Sequence, residues 1–160
     1  MIAVSSESKN KIEMVIIPIK VHEFLSKELK RVIGENASSD LNFEQGKKIG
    51  MSLVRGKHKN DPEDIKRYLK KLILIGYYSG VSSKNSHIKT FSNNKIVLSG
   101  KSRFDPKSKD SYSNPTLSYV TGYIVGFMEE LTQKKWKGKY TKKIKDKNII
   151  IELIIERKNV

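Results

Sequence analysis

The side chains that could do chemistry in this chain are few and far apart. Its three histidines, His22, His58 and His87, fall in three separate segments, and no two stand at a spacing that would set two metal ligands on one face. The absence of cysteine removes thiolate metal sites, thiol nucleophiles and disulfides together. Glu129 and Glu130 are neighbours, so on a helix they point to different faces and cannot act as an acid–base carboxylate pair. The glycine-containing segments lack the strand–loop–helix signature of a phosphate-binding loop. Catalysis is therefore not the expectation, and neither a metal nor a cofactor is expected.

Binding and packing are what the residue types favour instead. Residues 134–147 hold eight lysines, one aspartate and the aromatics Trp136 and Tyr140. Lys134, Lys135, Lys137, Lys139, Lys142 and Lys143 form a candidate anion surface, on which ammonium groups meet phosphates while Trp136 and Tyr140 stack on unpaired bases. Arginine, the residue of bidentate phosphate and guanine recognition, is scarce, so such a surface would read little sequence. Two other accounts stay open: an anionic membrane or acidic partner, and a solvated hairpin whose edge lysine protects from aggregation. The whole chain does not choose among them. Its 32 Lys and Arg against 17 Asp and Glu leave a net charge of +15, which raises encounter rates with any polyanion. Abundant Lys, Ile and Asn, as an AT-rich genome produces, yield the same charge without selection for binding.

The second feature is a pair of glycine repeats, Gly46-x-x-x-Gly50 and Gly122-x-x-x-Gly126. Each interior helical Gly costs about 1 kcal/mol relative to Ala, so two on one face mark a helix that approaches a neighbour closely. The two helices are expected to meet each other, to cross against the sheet, or to leave room for a guest between them.

The elements that position these residues follow from periodicity. A polar leader over residues 1–11 precedes a β-rich stretch from Ile12 that Pro18 ends. Val21, Phe24, Leu25, Leu29, Val32 and Ile33 recur near helical spacing, with Gly34 as the C-terminal cap. Asn36 or Ser39 can cap a second helix carrying Leu41, Ile49 and Leu53 and stopping near Gly56. Asp61-Pro62-Glu63 starts a third, which buries Ile65, Leu69, Leu72 and Ile73 before Gly76. From Tyr77 the pattern turns to β, with a hairpin over 87–91 and 95–99, then a loop over 101–113. Asn114 caps a fourth helix, and strands over 136–144 and 149–156 close the chain. The order β-α-α-α-β-β-α-β-β predicts an α+β domain with helices packed on an antiparallel sheet. One domain over 1–160 is expected, with its core over 12–157. The longest apolar stretch, 117–128, falls short of the roughly 20 residues a bilayer span needs. No signal peptide is visible either, so a cytoplasmic location is expected.

Taken in order, four pieces resemble the V4R (4-vinyl-reductase) domain family, related in fold to the TRAPP subunits of vesicle tethering. They are the helix pair from Leu25 to Leu53 with Gly34, Gly46 and Gly50; the segment Leu72-Ile-Leu-Ile-Gly76-Tyr77-Tyr78-x-Gly80; the strand Lys95-Ile-Val-Leu-Ser99; and Tyr119-x-x-Gly122-Tyr123-x-x-Gly126-Phe-x-x-Glu130. The cysteine pair common in the family's terminal strands is missing, those positions falling near Lys142 or Lys143 and Ile149 to Ile151. What the resemblance implies is a homodimer able to enclose a small apolar ligand. Its lining would be Tyr77, Tyr78, Tyr119, Gly122, Tyr123, Gly126 and Trp136, since tyrosine joins an apolar ring to an orienting polar tip. The guest would enter between the Gly122–Gly126 helix and the sheet, and Gly122→Leu should close that space without unfolding the domain. The expected role is a non-enzymatic ligand-binding or scaffold module; the alternative is a basic nucleic-acid-associated protein using residues 134–147.

Overall fold

The computed structural model describes residues 19–78, 85–101, 114–145 and 148–158. Two helices open it, α1 (Ile19–Ile33) and α2 (Glu35–Leu53), with Gly34 alone between them. Gly34 takes φ +82°, its N–H donating to the Lys30 carbonyl at 3.0 Å while its own carbonyl accepts from Ser38 N at 3.1 Å. One left-handed residue thus ends α1 and starts α2. This replaces the side-chain cap expected at Asn36 or Ser39, because no residues remain between the helices for a cap to occupy.

α3 (Pro62–Tyr78) begins as its sequence predicts, Asp61 Oδ2 accepting from Asp64 N at 2.9 Å. It runs through Gly76, so Tyr77 and Tyr78 sit in its last turn and not in a strand. A single glycine costs too little to stop a helix that is otherwise well formed.

Four strands follow: β1 (His87–Phe91) and β2 (Lys95–Lys101), then, after α4 (Asn114–Thr132), β3 (Trp136–Lys145) and β4 (Asn148–Arg157). They form one antiparallel sheet in the order β1-β2-β4-β3, with β4 central and β3 at an edge. The α+β class and the antiparallel sheet beneath helices stand as expected. The stretch over 12–18 lies outside the described residues, as does the loop over 101–113 apart from Lys101. Among the described residues no helix is long and apolar enough to cross a membrane.

Layering follows from which faces are apolar. A Cβ built on Gly138 would run into Thr121 and Val125 of α4, so the even-numbered residues of β3 face that helix. The register then puts Ile155 and Leu153 of β4, and Ile96 and Leu98 of β2, on the same face. Leu117, Val125, Met128 and Leu131 of α4 close over them, and these residues make up the core with Leu69 and Leu72 of α3. α2 packs on the far side of α4, and α1 packs on α2.

α1 and α2 depart furthest from their apolar patterns. Val21, Phe24, Leu25, Val32 and Ile33 of α1 are exposed, as are Leu41 and Ile49 of α2. What α2 buries instead is Ser38, Asn42, Gly46 and Gly50, a stripe of small and polar residues four apart.

Candidate functional site

That stripe is the first half of the site. α2 and α4 run in the same direction with their glycines interdigitated. A Cβ on Gly46 would overlap the Tyr119 carbonyl, and one on Gly50 the Tyr123 carbonyl. From the other side, Cβ atoms on Gly122 and Gly126 would overlap the carbonyls of Phe43 and Lys47. The helices therefore touch backbone to backbone, and the repeats meet each other. Gly122 and Gly126 face α2, away from the sheet, so neither borders a space between α4 and the sheet. Gly122→Leu is accordingly a disruption of the seam and not the silent pocket plug that sequence suggested.

Toward the start of α2 the seam becomes polar. Ser26 of α1 donates to Asn42 Oδ1 at 3.1 Å, and Asn42 Nδ2 donates to the Ser38 carbonyl at 2.7 Å. All three residues are fully buried, and the Ser38 hydroxyl has no partner among the described residues. A buried hydroxyl without a partner is uncommon, because desolvating it goes uncompensated.

The second half lies on the β3 side of α4. Tyr140 projects from β3 toward α4 and shares a hydrogen bond with Ser118. Burial raises its phenol above the ordinary tyrosine range, as it does for Tyr119 and, further, for Tyr123. The Tyr119 phenol adds to the shift at Tyr123, so the two rings, one turn apart on α4, bring their polar tips near each other. Lys142, two residues beyond Tyr140 on the same face, stands at the rim. The residue is exposed, yet partial desolvation holds its ammonium below the usual lysine range, an effect the Glu35 carboxylate opposes. Glu35, at the start of α2, also pairs with Lys30 at 3.0 Å. Tyr140, Ser118, Lys142 and the Glu35 carboxylate thus converge where α2, α4 and the edge strand meet, whereas Tyr119 and Tyr123 lie on the α2 side of α4, their carbonyls against Gly46 and Gly50. A neutral phenol and an exchangeable cation can orient a guest, but the set holds no nucleophile activated by a base.

Several residues singled out by sequence lie elsewhere. Trp136 is 3 % exposed and locked in the core, its Nε1 donating to Thr132 Oγ1 at 2.9 Å and its backbone N to Glu129 Oε1 at 3.1 Å. The helix carrying Tyr77 and Tyr78 packs toward β1, at the opposite edge of the sheet from β3. Lys134 and Lys135 fall in the turn before β3. Lys137, Lys139 and Lys143 point away from α4, where Lys137 lies 3.9 Å from Glu156 and Lys143 3.3 Å from Glu152. Trp136 and Tyr140 point toward α4, so Lys137, Lys139 and Lys143 do not share one stacking surface with the rings. Sequence reasoning passed over Glu35, Ser38, Asn42 and Ser118. The repeat of small residues at 38, 42, 46 and 50 was the available signal for two of them.

The elements and their packing define an H-NOX-like α+β fold. The chain superimposes on a variant of the T. tengcongensis H-NOX domain with TM-score 0.54 and 12% identity, covering 94% of this chain and 80% of that one. It also superimposes on the phenol-responsive sensory domain of the transcription activator PoxR, solved with phenol, with TM-score 0.58 and 17% identity over 91% and 78% of the two chains. A further H-NOX structure, concerned with H-NOX activation, aligns with TM-score 0.53 at 11% identity, over 94% and 79%. No protein-family model and no curated protein matches the chain. The V4R/TRAPP resemblance is therefore corrected: the fold is shared with H-NOX domains and the PoxR domain. The glycine repeats that suggested it are a general device for close helix approach and do not single out one family.

Other H-NOX structures of this set concern haem distortion and haem redox potential. Haem needs an axial His, Cys, Met or Tyr facing a flat cavity. His58 and His87 are exposed, with Nδ1 at 3.2 Å from the Glu130 carbonyl and 2.9 Å from the Asn85 carbonyl. Cysteine is absent, and Met128 is packed in the core. Neither His58 nor His87, the histidines whose side chains are described, stands in a buried site that could hold a haem. Nor do any three His, Asp or Glu among the described residues cluster as metal ligands.

Proposed function

We propose that this chain is a non-enzymatic domain that senses a small molecule. Its guest is a largely apolar, single-ring compound with one polar group, held where Tyr140 and Ser118 meet Lys142 and Glu35. The supporting observation is the superposition, over 91% of the chain, on a sensory domain that responds to phenol. The chemistry of this cluster agrees with it: the Tyr140 ring for apolar contact, its neutral phenol as donor, and a lysine that can release Glu35 to accept an anionic or hydroxyl group. A guest there touches α4, β3 and the start of α2 at once. Differential affinity for one arrangement of these elements is what lets binding become a signal.

Thermal unfolding in the presence of phenol, benzoate and indole tests the proposal. Saturable stabilisation by one of these compounds is expected, at about 3 kcal/mol when the compound is 100-fold above its dissociation constant. Tyr140→Phe with Lys142→Met should weaken that response at least tenfold and leave the far-ultraviolet spectrum unchanged. No saturable shift with any of the three would sink the idea, as would an unchanged response in the double variant.

A further inference from the structure

The outermost helix turns an apolar stripe away from the protein. Val21, Phe24, Leu25 and Val32 stand at i, i+3, i+4 and i+11 on α1, and they are 45 %, 62 %, 51 % and 68 % exposed. The inward side of α1 holds Ser26, which is 1 % exposed and bonded to Asn42. A surface helix ordinarily buries its apolar side, so this arrangement calls for a partner.

Charge identifies which one. Residues 19–53, comprising α1 and α2, contain six Lys and Arg and five Asp and Glu, a net of +1 in a chain of +15. Nearly all the excess positive charge lies elsewhere, much of it among the lysines of β3. Two copies approaching through any lysine-rich face would repel each other. At the α1–α2 layer they meet on nearly neutral ground, with both signs present on α1 itself. An anionic membrane or an acidic protein would favour the opposite surface, the one that carries the lysines. We propose that the exposed stripe of α1 is the self-association surface of this protein, and that two copies meet there across a two-fold axis. Such a contact is self-complementary and closes at two.

Sedimentation or light scattering of the full chain tests this, together with Phe24→Glu/Val32→Glu and Val21→Glu/Leu25→Glu. These positions are exposed, so the variants should keep the native circular dichroism. The wild type is expected at twice 18.3 kDa, and each double variant at the single mass, with its dissociation constant raised about 100-fold or more. Because the interface is apolar and nearly neutral, added salt should leave the dimer in place. A wild-type monomer at tens of micromolar overturns the proposal. So does a variant that stays dimeric, or assembly that grows beyond two.

Discussion

α4 meets α2 on one flank and β3 on the other, and the two contacts are made of opposite materials. Toward α2 there are no apolar side chains at the closest points, only four glycines and the carbonyls they admit. Toward β3 there are the Tyr140 phenol, a serine, a lysine and the carboxylate of Glu35. A seam held by backbone contact has one arrangement, because any displacement loses contacts without offering others. A cluster of polar tips at a rim has several arrangements, since each hydrogen bond can be exchanged for one to a guest. Rigidity on one flank and exchangeable bonding on the other is the combination a sensing element needs.

The largest test of this contrast is a single methyl group. Gly122→Ala pushes a Cβ into the Phe43 carbonyl, a backbone atom that cannot swing aside. Overpacking of this kind should lower unfolding stability by about 3 kcal/mol, measured by urea denaturation. On the other flank Tyr140→Phe removes one hydroxyl and should cost about 1 kcal/mol. Equal effects at the two positions would abolish the distinction between the flanks. A smaller effect probes the link between them. Glu129 is 8 % exposed, accepts from Trp136 N at 3.1 Å and pairs with Lys47 Nζ at 2.8 Å, tying α2 to the start of β3. Glu129→Ala should cost about 2 kcal/mol. In a double-mutant cycle Lys47→Met should show positive coupling to it, and zero coupling would break the link.

How much of this was legible in the sequence depends on whether a position was decided locally. The hairpin at Ser92–Lys95, the helix start at Asp61 and the four strands were readable, because turn chemistry and alternation act over a few residues. That the two glycine repeats approach something closely was readable too; that they approach each other required the fold. α1 and α2 were misleading for a physical reason. Apolar period predicts the buried face only when burial is driven by side-chain area, and here α2 is buried through Ser38, Asn42, Gly46 and Gly50 while Leu41 and Ile49 remain outside. The alternation of residues 136–143 was visible as a strand, but which parity faces α4 is set by Thr121 and Val125, far away in sequence. So the separation of Trp136 and Tyr140 from Lys137, Lys139 and Lys143 could not be read from the segment itself.

The smallest predicted effect reports on the burial of the α4 phenols beside the glycine seam, without any ligand. Burial raises the phenols of Tyr119, Tyr123 and Tyr140, that of Tyr123 most. A group whose folded pKa is raised supports the fold fully below its unfolded value, about 10 for tyrosine, and loses that support as pH rises toward the folded value. In that window the unfolded chain releases protons that the folded chain retains, so stability falls. Lys142 acts in the opposite sense: its ammonium is disfavoured in the fold, and that penalty fades as it deprotonates. The wild-type slope is therefore a sum of terms of both signs, and a variant is needed to isolate one of them. Tyr123→Phe should leave the urea midpoint within about 0.5 kcal/mol of wild type near neutrality and make the decline above about pH 10 shallower. An identical alkaline decline in the variant would mean that Tyr123 titrates as freely as in water. The α2 side of α4 would then be open to solvent at Tyr123, and the close approach of the two helices would end at the four glycines.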